Sequence, residues 1–115
     1  EGQSALRNPT GPCGSEFILS GNVRGIVLQH APARAYFEGT EAFHQRIPTV
    51  EDEIALMKLY GAEVIAFTLN EEGIDMEELK KYQAELKEKT GLPVVRPLSE
   101  GVAGLLPAIK DFMQR

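Results

Sequence analysis

The run Val64-Ile65-Ala66-Phe67-Thr68-Leu69 constrains this chain more than any other stretch. It is short, almost wholly apolar and rich in β-branched and aromatic side chains, so it reads as a strand covered on both faces. Such a strand belongs to a parallel sheet flanked by helices. The segments around it agree. Thr49 can cap a helix whose first turn carries Glu51, Asp52 and Glu53, with Val50, Ile54 and Met57 one turn apart and Gly61 closing it. Beyond the strand, Asp75 and Glu78 make a capping box and Ile74 and Leu79 a hydrophobic staple. The helix they open is predicted to run to Thr90, with Met76, Leu79, Tyr82 and Leu86 on its buried stripe and Gly91 as its C-cap.

Two shorter strands are predicted at residues 26–29, behind Gly25 and stopped by Pro32, and at residues 93–95. A short helix is expected over residues 15–19. A last helix starts near Gly104, where Pro107 is tolerated in the first turn, and buries Leu105, Leu106, Ile109, Phe112 and Met113. Residues 1–14 read as loop by their Gly, Pro and Ser content, and residues 31–48 as a long irregular connection of the kind that carries function. Strands alternating with helices predict an α/β fold: a parallel sheet with helices on both faces.

The chain has 115 residues, 43% of them hydrophobic, enough for the core of one domain or part of one. No apolar run approaches the ~20 residues that cross a bilayer and no signal peptide opens the chain, so no membrane partner is expected and the cytoplasm is. A net charge of −5 argues against a nucleic-acid surface. The four bases among residues 1–50 are all arginines, whose planar fork suits a small carboxylate or phosphate ligand. Cys13, the single cysteine, reads as packing. His30 and His44 stand fourteen residues apart without H-E-x-x-H or C-x-x-C spacing, which argues against a dedicated zinc site.

Ligands of open α/β sheets bind beyond the carboxyl ends of the strands. Here those ends deliver His30 with Arg34, Thr68 with Asn70, and the segment from Arg96 through Pro97 to Gly101. Glu1, Gln3 and Ser4 would join them if a further strand precedes Glu1. Each feature also has a bland reading: a structural histidine, a surface ion pair, an Asn-stabilised turn, and Glu71 and Glu72 as a solvated stretch. A Mg²⁺ ion held by one carboxylate and a bound phosphate would take Glu1.

Several stretches in order resemble one family. They are Glu-Gly-Gln-Ser-Ala-Leu-Arg-Asn-Pro at residues 1–9, Leu-Gln-His-Ala-Pro-Ala-Arg at 28–34, Ile-Pro-Thr-Val-Glu-Asp-Glu-Ile at 47–54, Ala-Phe-Thr-Leu-Asn at 66–70 and Gly-Leu-Pro-Val-Val-Arg-Pro-Leu at 91–98. The chain is similar to the former domain-of-unknown-function family that includes the D-glutamate N-acetyltransferases, and specifically to the carboxy-terminal half of its P-loop NTPase-like domain. The resemblance implies an amino-terminal Rossmann-like region and a glycine-rich phosphate loop, both lying before Glu1.

It also implies roles. Glu1 and Gln3 match a Glu-Gly-Gln that follows a Walker-B-like strand, similar to the Glu-Gly of dethiobiotin synthetases, where the carboxylate serves metal and phosphate. His30, Pro32 and Arg34 match the family's His-x-Pro-Gly-Arg, with Ala33 standing where the family has Gly. Asn70, preceded by Thr68, matches the strand end that contacts a nucleotide base in related P-loop proteins, and Pro97 to Gly101 would line the same pocket. The function expected from the resemblance is N-acyl transfer from acetyl-CoA to an acidic amino acid, with His30 as base and Arg34, Gln3 and Ser4 on the substrate. The alternatives are a Mg²⁺-requiring ATP or GTP enzyme of the dethiobiotin synthetase kind with Glu1 on the metal, or a structural, oligomerising module. Any homo-oligomer would form through the full-length protein, and these residues alone are expected to be inactive.

Overall fold

The computed structural model describes residues 5–9 and 11–115. Its chain divides into two compact units, one made of Glu1–Arg24 with Arg34–Glu63 and the other of Gly25–Ala33 with Val64–Arg115.

The first unit holds helix α1 (Gly14–Ser20), a 3₁₀ turn (Glu41–Phe43) and helix α2 (Val50–Leu59). The Thr49 hydroxyl caps α2 by accepting from the Asp52 amide at 3.2 Å, as the sequence predicts. Ile18, Phe37, Val50, Met57 and Ala62 are the unit's buried apolar positions among the described residues, and Glu53 is buried too, with its carboxylate on Arg7 at 3.0 Å. Much of the long connection is ordered. Tyr36 and Arg46 form an antiparallel bridge, and the Thr40 hydroxyl donates to the Phe37 carbonyl at 2.7 Å, which closes a compact loop around the 3₁₀ turn.

The second unit carries the sheet. Strands β1 (Gly25–His30), β2 (Glu63–Leu69, whose first residue lies in the other unit) and β3 (Val94–Val95) stand in the order β1-β2-β3 and run parallel, an α/β fold. Phe67 pairs with Val94 and Thr68 with Val95. Helix α3 (Met76–Thr90) joins β2 to β3 and packs against β3. The Asp75 carboxylate accepts from the Glu78 amide at 2.9 Å, and Gly91 ends the helix at φ 70°, where glycine alone is unstrained. Ala66 and Phe67 of β2 are fully buried, consistent with cover on both faces, and Ala66, Val95 and Leu105 form one cluster with Ile109 packed on it.

Several expectations change; Leu106 and Met113, expected to be buried by the last helix, are exposed. β1 is half-exposed rather than buried, because among the described residues it pairs with β2 alone. Residues 97–100, expected only as part of the segment that leaves the third strand, form a one-turn helix, α4 (Pro97–Glu100), with Pro97 in its first turn. The last helix starts two residues beyond Gly104: a 3₁₀ turn (Ala103–Leu105) leads into α5 (Leu106–Met113). Met76 leaves the buried stripe of α3 for a partly exposed position at its start, while Leu79 and Leu86 hold the stripe as expected. Phe112 of α5 explains the glycine that opens β1: a Cβ at Gly25 would stand 2.7 Å from the Phe112 ring. No helix among the described residues is long and apolar enough to cross a membrane.

Candidate functional site

The carboxyl ends of β1 and β2 meet at a backbone hydrogen bond, from the Asn70 amide to the His30 carbonyl at 2.8 Å. His30 is half-buried, and its ring stacks on Tyr82 of α3 with centroids 5.7 Å apart and planes 22° apart, an offset face-to-face arrangement. Burial pushes the imidazole below its ordinary pKa of 6.5, so the neutral ring is favoured. Burial, with Glu85 nearby, pushes the Tyr82 phenol up and keeps it protonated. Among the described residues no group hydrogen-bonds the His30 ring. At neutral pH the site therefore presents an imidazole lone pair that no donor among the described residues occupies.

Asn70 turns the chain out of β2. Its side-chain oxygen accepts from the Glu72 amide at 2.9 Å, an Asx turn, and its side-chain NH₂ has no partner among the described residues. Thr68, half-buried, stands opposite Val95 in the sheet. Glu71 is not the solvated residue expected: its carboxylate accepts a hydrogen bond from the Ser99 hydroxyl of α4.

The third strand end is closed by its own contacts. Arg96 leaves β3 with every guanidinium nitrogen engaged: Nε donates to Gln83 Oε1 at 2.8 Å, Nη1 to Met76 Sδ at 3.0 Å and Nη2 to Glu100 Oε2 at 2.9 Å. Glu100 also accepts from the Arg96 amide at 3.0 Å and from Gln83 Nε2 at 2.9 Å. The backbone bond from Arg96 leads the contacts that hold its carboxyl below the usual carboxylate range. Gln83 completes the knot by donating to the Val94 carbonyl at 2.7 Å. Arg96 thus ties α3, β3 and α4 together. Each of its guanidinium nitrogens already serves a contact within the protein.

Pro97 and Gly101 bound this α4 turn. Gly101 adopts φ 76° and ψ −167°, a conformation that essentially only glycine takes. Arg34 lies in the other compact unit and is half-buried there. Glu1, Gln3 and Ser4 lie outside the described residues. Among those described, no cluster of three or more His, Cys, Asp or Glu side chains is placed to hold a metal ion.

The sequence reading missed Gln83 and Glu100, and assigned Tyr82 and Met76 to packing alone. A signal existed for one of them: Glu100 stands four residues after Arg96, the spacing of a helical ion pair. Nothing comparable marks Gln83, whose partners come from β3 and α4.

Residues 1–106 match the model of a family described as "domain of unknown function (DUF1611_C) P-loop domain". The chain belongs to that family. A crystal structure of a DUF1611 family protein from Anabaena variabilis matches it with a TM-score of 0.83 and 24% sequence identity, over 100% of this chain and 34% of that one. At that identity the likeness establishes the fold, and this DUF1611 chain spans about a third of the relative's length. No curated protein matches. The family is named for a P-loop, but no G-x-x-x-x-G-K-S/T stretch occurs in these 115 residues.

Proposed function

We propose that this DUF1611 domain serves an N-acyltransferase that moves an acetyl group from acetyl-CoA to the amino group of an acidic amino acid resembling D-glutamate, with His30 as general base. The observation that carries the reading is the His30 imidazole itself. It stands at the carboxyl end of a parallel strand, burial favours its neutral form, and no described residue hydrogen-bonds it. An amino acid enters as an ammonium ion and is not nucleophilic until it loses a proton. Neutral His30 accepts that proton. The freed nitrogen attacks the thioester carbonyl, the C–N bond forms and the C–S bond breaks. The departing thiolate takes the second nitrogen proton, and the products are the N-acetyl amino acid, CoA and a protonated His30.

The remaining roles follow the resemblance. Arg34, Gln3 and Ser4 bind the substrate's carboxylates, with the Arg34 guanidinium as the bidentate partner. Thr68, Asn70, Pro97 and Gly101 face the nucleotide part of the donor, with the Asn70 NH₂ as a donor to the base. The experiment is direct. The full-length protein given acetyl-CoA and D-glutamate should release free CoA, and His30→Ala should slow that release by about 10²- to 10⁴-fold. The reading fails if the parent protein releases none, or if the variant keeps the parent rate.

The family's P-loop description favours a second reading, a Mg²⁺-requiring ATP or GTP enzyme with Glu1 on the metal. Phosphate release that depends on Mg²⁺ and is abolished by Glu1→Gln would support it.

A further inference from the structure

We infer that Tyr82 is the positioning residue of His30, its ring face taking the part that a hydrogen-bonding partner plays for most catalytic histidines; the kinetic side of this rests on His30 being the base. A histidine that exchanges protons with substrate must present one nitrogen at a fixed angle. That angle is usually set by a carbonyl or carboxylate bonded to the other nitrogen. Among the described residues His30 has no such partner, and its one ring contact is the offset stack on Tyr82, 5.7 Å away and 22° from parallel.

The platform is itself fixed. Tyr82 lies three residues after Leu79 and four before Leu86, both buried on the inner stripe of α3. Its neighbour Gln83 is pinned to the Val94 carbonyl at 2.7 Å and to Arg96 at 2.8 Å. The helix therefore has little freedom to roll, and the Tyr82 ring holds the imidazole plane while leaving both ring nitrogens without a hydrogen bond from a described residue. A stacked phenol also tolerates the proton that His30 acquires, because an imidazolium over an aromatic face is attracted by the ring quadrupole. A carboxylate partner would raise the histidine's basicity much further and oppose the neutral form that burial favours.

The stack predicts a ring-current signature that does not depend on turnover. In the full-length protein with ¹³C-labelled histidine, the His30 ring protons, assigned with His30→Gln, should lie upfield of a free imidazole. Tyr82→Phe should keep them there. Tyr82→Leu should release them, and Tyr82→Trp, a larger ring, should displace them further upfield. His44, stacked on Tyr36 at 5.4 Å, is the internal control and should not move. In CoA release, Tyr82→Leu should lower kcat by about 10- to 100-fold with KM nearly unchanged, and Tyr82→Phe should restore it. Unmoved His30 shifts in Tyr82→Leu and Tyr82→Trp overturn the inference, as does a Tyr82→Leu variant that turns over at the parent rate. A parent protein without CoA release removes the acyl-transfer reading, and the ring shifts then decide the positioning alone.

Discussion

β1 and β3 each hand the chain to a basic residue at the carboxyl edge of the sheet, and the two residues are used in opposite ways. Arg96, with a side chain only 12% exposed, places its guanidinium on Gln83, Met76 and Glu100. His30 receives a ring face from Tyr82 and no hydrogen bond to its imidazole among the described residues. Both sit where ligands of α/β sheets bind. Position at a strand end is therefore not what separates a candidate ligand group from a structural one. Unspent hydrogen-bonding capacity is, and it is visible only once the neighbours are in place.

The comparison predicts opposite phenotypes. His30→Ala should cost the full-length protein about 10²- to 10⁴-fold in kcat, while its urea midpoint falls less than that of Arg96→Ala, since the ring's packing on Tyr82 is lost but no hydrogen bond from a described residue. Arg96→Ala should do the reverse. It strips Gln83 and Glu100 of their shared donor, and a loss of about 2–3 kcal/mol in unfolding free energy is expected, less than for a fully buried pair because the Glu100 side chain is 35% exposed. Turnover per folded molecule should fall far less than in His30→Ala, because Arg96 reaches the His30 ring only through Gln83 and α3. Arg96→Lys should recover less than half of the loss, because an ammonium on a flexible stem cannot span three partners in fixed directions. If urea titration shows His30→Ala to be the more destabilising change, the contrast between the two strand ends collapses.

A smaller effect tests the other end of β1. Gly25→Ala puts a Cβ where the Phe112 ring lies, 2.7 Å from its Cε1, and overpacking of that kind costs about 1–3 kcal/mol. Phe112→Leu in the same chain should return part of it. Additive losses would mean that Gly25 is needed for some reason other than that ring.

How much of this is legible in the sequence depends on how local each determinant is. Thr49, Asp75 and Gly91 mark helix ends through chemistry contained within one turn, and all three act as read. The apolar run of β2 betrays its burial without help, since covered faces leave no polar alternation. β1 misleads because Ile26, Val27 and Leu28 are as apolar as a central strand, yet in the described sheet β1 pairs on one side only. At the site, His30 and Asn70 could be nominated from strand-end position, but their hydrogen-bonding state could not. Arg96 illustrates the limit: two of its partners, Met76 and Gln83, lie 20 and 13 residues away, and no local pattern announces them. Tyr82 fits a buried stripe so well that its second role leaves no separate trace.

The smallest effects are the pH dependences, and they sharpen the contrast because the two groups titrate in different windows. His30 has its folded-state pKa lowered by burial, so below the ordinary value of 6.5 the unfolded chain binds a proton that the folded chain resists. Stability falls as pH drops from about 6.5 toward the folded pKa, and His30→Gln should remove that step from urea midpoints measured between pH 7 and 5. Glu100 is also lowered, first by the Arg96 backbone amide, but from 4.5. Its contribution is complete above that value and is lost as pH falls through the folded pKa. Because the pair is partly exposed and screened by salt, its worth is below about 1 kcal/mol. Glu100→Gln should therefore flatten only the acidic end of the curve, below pH 4.5, and leave the His30 step intact. A Glu100→Gln variant that also loses the step near pH 6.5 would mean that the two strand ends are coupled, and that Arg96, through Gln83 and α3, helps to set the state of His30.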